Sequence, residues 1–216
     1  MPYTEQEYKL FELVTRILCD PLPETVDAVA IFGETFENED SMLNAAARCV
    51  QKDRARFIAV SGEEGDHKGE FRVSSGKEYE EILVTRGVPR NKLVSFPLST
   101  KFPPSTDAEA IGLVEYADRA GWTSIIVTVP PLHQVRAFIS TVSAVLKANS
   151  PLRVYSFHGG LLSWTEEVFH SQSAPKAPRH EQFEGELGKL IRYAGKGDHA
   201  SPEEILAYLN RRDTAK

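Results

Sequence analysis

The sequence predicts an α/β protein, a doubly wound sandwich around a parallel sheet of about five strands, with extra helices at both ends. Three observations carry this expectation. Five short apolar runs, VDAVAIF, RFIAV, KLVSF, SIIVTV and LRVYSF, recur within residues 24–158. Between successive runs lie stretches with apolar residues at helical spacing. The runs themselves are nearly continuous rather than alternating, as in parallel strands covered on both faces. Crossovers between such strands are right-handed.

The elements follow in order. Thr4 and Glu7 form a capping-box pattern opening a helix over 4–19, with Leu10, Leu13, Val14, Ile17 and Leu18 on one stripe. Asp20-Pro21-Leu22-Pro23 stops it. The first strand, Val26 to Phe32, ends at Gly33, and a helix is expected over Ser41–Val50. The second strand, Arg56–Val60, runs into the polar stretch SGEEGDHKGE, read as a loop. A helix over Lys77–Arg86 closes at Gly87-Val88-Pro89 and leads to the third strand, Lys92–Phe96. Helix Ser105–Ala120 ends at Gly121. The fourth strand is Ser124–Val129, the next helix Leu132–Leu146, and the fifth strand Leu152–Phe157.

Beyond residue 158 the pattern changes to a helical extension over 159–216. Ser171–Arg179 reads as a linker, Glu181–Ala194 as a helix ended by Gly195, and Ser201-Pro202 as the cap and first turn of a last helix through Asn210. Both helices are expected to dock on the sheet or on a partner chain. The length of 216 residues suits one domain over 1–216.

Composition excludes several classes. Hydrophobic residues are 41% and charged residues 26%, near the globular average. The net charge of −6 argues against nucleic-acid binding, which needs a basic footprint. No apolar run approaches the roughly 18 residues of a membrane span, and no secretion signal is evident. A cytoplasmic protein is expected, with no membrane insertion. Cys19 and Cys49, both in helix-like segments, read as small buried hydrophobes.

Ligands of open α/β sheets bind beyond the carboxyl ends of the strands, which nominates five loops. Gly33 permits a sharp turn or close ligand approach, but no GxGxxG follows, so an NAD-type oxidoreductase is disfavoured. The acidic stretch ETFENED, with Glu34, Glu37, Glu39 and Asp40, reads as a solvated loop together with charges at a helix N-terminus, where the dipole favours them. Ser61-Gly62-Glu63 can cradle an anion or form a plain turn. His67 reads as an exposed loop residue. Ser105 and Thr106 serve equally as helix caps or as an anion-binding helix start. In VTVPPLHQVRA, His133 and Arg136 sit three apart on the first turn after a strand, where an imidazole and a guanidinium suit recognition and protonation of an anionic group. His158-Gly159-Gly160 ends the last strand and gives a weaker signal. No nucleophile stands out, since Ser61 lacks a GxSxG elbow.

From about Asp27 to Tyr155 the chain resembles the YdcF, SanA and ElyC group of bacterial proteins. The matching pieces are DAVAIFG, IAVSG, LVTRGVPRNKL, the Ser105-Thr106 pair, and VTVPPLHQVRA, in which Thr128, His133, Arg136 and Ala137 fit the pattern V-T-x-x-x-H-x-x-R-A. The resemblance implies a Rossmann-like fold and a cleft lined by Gly33, Ser61, Gly62, Thr106, His133 and Arg136. It also implies a nucleotide-like ligand such as S-adenosylmethionine, and links to envelope processes. The chain departs from the group in three places. Ser105, Ala108 and Glu109 stand where the group has an Asn-Thr-x-Glu-Asn-like run. A Glu expected before the third helix has no clear counterpart, although Glu78 and Glu80 lie near. A membrane segment common in the group is missing.

Two functions are weighed. In one, the chain binds an anionic or nucleotide-type small molecule, with His133 as acid or base, and acts as a transferase or phosphate-ester hydrolase. The ligand contacts are then Gly33, Ser61, Gly62, Glu63, Ser105, Thr106, Thr128, Arg136 and His158. In the other, it is a non-catalytic metabolite-sensing or interaction protein.

Overall fold

The structure is a computed structural model that describes residues 4–62, 64–68, 70–170 and 175–214. The order of elements is α1 (Glu5–Leu18), β1 (Val26–Ile31), α2 (Phe36–Gln51), β2 (Ala55–Ser61), β3 (Asp66–Lys68), β4 (Phe71–Val73) and α3 (Gly76–Thr85). There follow β5 (Leu93–Phe96), α4 (Thr106–Ala120), β6 (Ser124–Thr128), α5 (Pro131–Ala148) and β7 (Arg153–Ser156). The chain closes with β8 (Glu167–Val168), β9 (Ala177–Pro178), α6 (Arg179–Lys196) and α7 (Pro202–Thr214).

The five strands expected from the apolar runs form one all-parallel sheet in the order β5-β2-β1-β6-β7. The chain starts in the middle, winds outward to one edge, then returns past the centre to the other. This is the Rossmann-like order, and its switch point lies between β1 and β6. β1 and β6 are buried along almost their whole length, which is why their sequences do not alternate.

Each face of the sheet has its own core. Met42, Leu43 and Ala46 of α2 and Tyr79 and Leu83 of α3 pack on Val29, Ile31, Ile58 and Val60. On the other face, α4 and α5 cover Ala30, Phe32 and Val127, and α1 and α7 pack outside α5. Local sequence sets the helix ends. Thr4 and Glu7 form the expected capping box, and Gly121 closes α4 in the left-handed region at φ 70°.

The last helix protects the edge strand β7. Tyr208 Oη accepts from Val154 N–H at 2.7 Å and donates to Leu152 O at 3.1 Å. Arg212 donates to Val154 O at 2.7 Å and pairs with the buried Asp20, which accepts from Ser156 N–H at 2.8 Å. The outward backbone groups of an edge strand are thus taken by side chains.

Several expectations are corrected. The polar stretch after β2 is not wholly a loop: Asp66–Lys68 and Phe71–Val73 pair as an antiparallel hairpin, and His67 lies in a strand. α2 starts at Phe36, well before the Ser41 start that its apolar stripe suggests. Gly195 does not end α6, which runs to Lys196, and Gly197 takes the left-handed conformation at φ 77°. Cys49 is buried but Cys19, at the end of α1, is exposed. Of the expected linker Ser171–Arg179, residues 171–174 lie outside the described residues, Ala177–Pro178 form β9, and Arg179 begins α6. Of the two docking places expected for the last helices, the first is seen: α6 and α7 dock on the sheet domain's own α5. No helix among the described residues is long and apolar enough to cross a membrane.

Candidate functional site

The switch point sets Gly33 and Glu34, just beyond β1, beside the first turn of α5, just beyond β6. There a continuous hydrogen-bonded line runs through four side chains. Glu34 Oε2 meets His133 Nδ1 at 3.2 Å, and His133 Nε2 meets Thr106 Oγ1 at 3.2 Å. Arg136 Nη1 donates to the same Thr106 oxygen. All four residues are buried.

Donor chemistry fixes the direction of the line. Glu34 is a carboxylate that only accepts, so the imidazole proton sits on Nδ1, Nε2 accepts from the Thr106 hydroxyl, and Thr106 Oγ1 accepts in turn from Arg136. His133 is then the neutral tautomer with its proton on Nδ1, given to the Glu34 carboxylate. The electrostatics agree. Burial, then the neighbouring Arg136 charge, pushes His133 below its ordinary value despite Glu34. Burial opposes ionisation of Glu34, but the His133 contact and the Thr35 N–H hold its carboxyl below the usual range.

Each member is placed by local structure. Tyr79 of α3 fixes the Glu34 backbone, accepting from its N–H at 3.0 Å and donating to its carbonyl at 2.9 Å. Burial first, then the carboxylates around it, raises the Tyr79 phenol and keeps it protonated. Pro130 and Pro131 start α5, so His133 and Arg136 point the same way one turn in. Gln134, between them, turns back to the sheet and bonds Val127 O, Val129 N–H and Ser156. Ser105 caps α4 by accepting from Ala108 N–H at 3.3 Å, leaving Thr106 to face the imidazole.

The line continues outward into the C-terminal extension. Arg136 Nε donates to Glu186 Oε2 of α6. Glu186 Oε1 accepts from Lys189 Nζ at 2.7 Å and lies 2.8 Å from His170 Nε2. Burial opposes the charge on Glu186, but these partners hold its carboxyl far below the usual range. α6 therefore covers the site, and its N-terminal end is fixed by the buried Arg179, which bonds Asn38, the Glu37 and Ser163 carbonyls, and Glu166.

Of the residues singled out from sequence, the structure brings Thr106, His133 and Arg136 together. Gly33 adjoins them, but its N–H is already given to Glu109 Oε1 at 2.6 Å. The glycine amide is therefore already engaged and is not free to receive an anion. Thr128 and Ser61 lie at strand ends with buried hydroxyls that have no hydrogen-bond partner among the described residues. They follow Ile126 and Ala59 by two residues and so face opposite sides of the sheet. Gly62, giving its N–H to Phe96 O, lies with Ser75 and Ser95 in a separate depression beyond β2. Ser105 acts as a cap. His158 turns to Gly159 O at 2.7 Å and stacks on Phe157. Glu63 lies outside the described residues.

Glu37 and Glu39 do lie in the first turn of α2 and Asp40 is exposed, as expected of charges at a helix N-terminus, but the stretch is not solvated throughout. Glu34 and Glu39 are each only 2% exposed. Burial raises Glu39 above its ordinary value, although the Arg72 charge opposes the shift. Sequence reasoning thus misses Glu34, as well as Glu186, His170 and Lys189. Glu34 does carry a signal, its place one residue beyond the first strand's glycine.

Chemically, the line can activate a hydroxyl. His133 Nε2 is set to take the Thr106 proton, Glu34 stabilises the imidazolium that forms, and Arg136 stabilises the developing oxyanion. Thr106 also begins α4, where the helix dipole favours negative charge.

No known protein-family profile and no curated protein matches this chain. Among solved structures it is similar to pantothenate synthetase from Thermus thermophilus, with 11% identity over 94% of this chain and 79% of that one and a TM-score of 0.37. A likeness at that level carries no argument about function.

Proposed function

We propose that the chain binds an anionic small molecule beyond the ends of β1 and β6 and acts on it as a transferase or phosphate-ester hydrolase. The ligand class is nucleotide-type or phosphate-containing, with S-adenosylmethionine, held through its carboxylate, as a further candidate. The single observation supporting this is the Glu34–His133–Thr106 line with Arg136 at its end, placed at the switch point of the sheet. The resemblance to the YdcF, SanA and ElyC group belongs to the same reading.

In this mechanism Arg136 holds the anionic group. Thr106 Oγ attacks the phosphorus while its proton passes to His133 Nε2. The leaving oxygen departs with that proton, and the phosphoryl group rests on Thr106. Water or an acceptor hydroxyl then attacks, giving its proton to His133, and Thr106 leaves and regains it. Glu34 keeps the imidazole oriented throughout.

The test is a thermal-shift panel of nucleotides, S-adenosylmethionine, sugar phosphates and polyprenyl-phosphate analogues, with and without divalent metal. A ligand at about 100-fold over its Kd stabilises by roughly 2.7 kcal/mol. For a chain of this size that shifts Tm by about 5–11 °C. The shift should vanish in Arg136→Ala. A blank across the panel would overturn the reading. The closure of the site beneath α6 favours a second reading, a metabolite sensor in which ligand entry moves the C-terminal extension without turnover.

A further inference from the structure

We propose that Arg136, His170 and Lys189 form a binding subsite for a phosphate-type dianion, which Glu186 fills as a built-in stand-in that the ligand displaces. The inference rests on the reading of the cleft as an anion site and names its inner contacts.

Three observations carry it. The first is donor density. One buried carboxylate receives Arg136 Nε on one oxygen and Lys189 Nζ on the other, where His170 Nε2 also lies at 2.8 Å and meets Lys189 Nζ at 3.0 Å. These groups come from α5, from α6 and from the segment between β8 and β9, so the cradle is assembled from three parts of the chain. The second is charge. Arg136 and Lys189 each set a permanent positive charge against Glu186, and Arg136 also acts on the Asp107 carboxylate. Glu34 is held across the ring of His133, on Nδ1, while Thr106 meets Nε2. A dianion matches the two cations better than a carboxylate does, and a planar guanidinium suits phosphate oxygens. The third is position. The guanidinium that holds Glu186 also holds Thr106. A phosphate replacing the Glu186 carboxylate would therefore lie beside the hydroxyl whose proton His133 takes.

The covering helix is also built to yield. Gly185 and Gly188 flank Glu186, and a Cβ added to either would meet nothing within 4 Å. Packing does not require glycine there, yet glycine weakens a helix interior. Arg179 fixes the start of α6, so displacement of Glu186 proceeds by local unwinding around Gly185–Gly188 rather than by departure of the helix.

The experiment is calorimetric titration of the full chain with inorganic phosphate, with acetate as the monoanion comparison. Glu186→Gln keeps the shape and removes the competing charge. It is expected to bind phosphate at least tenfold more tightly than the parent chain, with little gain for acetate. A folded Glu186→Gln chain, checked by circular dichroism, that binds phosphate no better than the parent overturns the proposal. Gly188→Ala, in the parent background, tests the displacement step without touching the donors. Stabilising the closed helix should weaken phosphate binding about fivefold, and unchanged affinity overturns the proposal even if Glu186→Gln fails to fold. The two levels separate cleanly. Nucleotide binding lost in Arg136→Ala but indifferent to Glu186→Gln removes the subsite and keeps the anion cleft. Phosphate capture by Glu186→Gln without any nucleotide binding keeps the subsite and removes the ligand reading.

Discussion

Glu34→Gln is the most informative single change, because it keeps the shape and reverses the direction of the hydrogen-bonded line. In the parent chain Glu34 Oε1 accepts from Thr35 N–H at 2.9 Å and Oε2 meets His133 Nδ1 at 3.2 Å. A glutamine has one acceptor oxygen, which the Thr35 amide claims, leaving its NH2 against the imidazole. His133 must then move its proton to Nε2 and donate to Thr106, which can no longer give its own proton in return. The charge-assisted bond lost is worth about 1.5–3 kcal/mol. Relief from burying a carboxylate offsets part of this. A net loss of about 2 kcal/mol lowers Tm by about 4–8 °C in a chain of this length. Urea unfolding reads the stability, and nitrogen chemical shifts of the ring read the tautomer. The reasoning is refuted if the parent His133 carries its proton on Nε2, or if the variant keeps the Nδ1 proton and the parent's stability.

Acid should destabilise the fold in two stages. His133 has its pKa lowered by burial from 6.5, so below about pH 6.5 the unfolded chain binds a proton that the folded chain resists, and stability falls as pH falls. Glu186, lowered from 4.5 against the cost of burial, adds a second loss below about pH 4.5, while Glu39, raised by burial, acts in the opposite sense just above that value. Urea midpoints between pH 4 and 8 check this, and His133→Gln should remove the upper stage. Thiol titration should label exposed Cys19 quickly and Cys49 only on unfolding, because burial pushes the Cys49 thiol up to about 11. Fast labelling of both would contradict the packing of α2. Arg212→Met leaves buried Asp20 uncompensated and frees Val154 O on the edge strand. It should cost about 3–5 kcal/mol and promote self-association, read by denaturation and light scattering.

Much of the sheet is legible in the sequence because its physical cause is local. Strands buried on both faces must be apolar throughout, so VAIF and SIIVTV announce themselves. The hairpin of β3 and β4 is hidden because each strand has only three residues and DHK has no apolar pattern. The site divides in the same way. His133 and Arg136 are legible because a helix begun by Pro130-Pro131 after a strand must present both on one face. Glu34 and Glu39 read as solvated because isolated carboxylates prefer water. Their burial depends on partners far along the chain, as His133 lies 99 residues from Glu34. Glu186 carries no motif at all. Its role exists only once α6 packs over α5 and brings it to Arg136, 50 residues away.

The central claim is hydroxyl activation by His133 on a bound phosphate-type ligand. The most direct test is phosphorus NMR of a panel of phosphate esters and nucleotides incubated with the parent chain and with His133→Ala. The account predicts release or transfer of phosphate by the parent and a loss of at least about 100-fold in the variant. Turnover that survives His133→Ala unchanged, or no turnover of any ester by the parent, would contradict it.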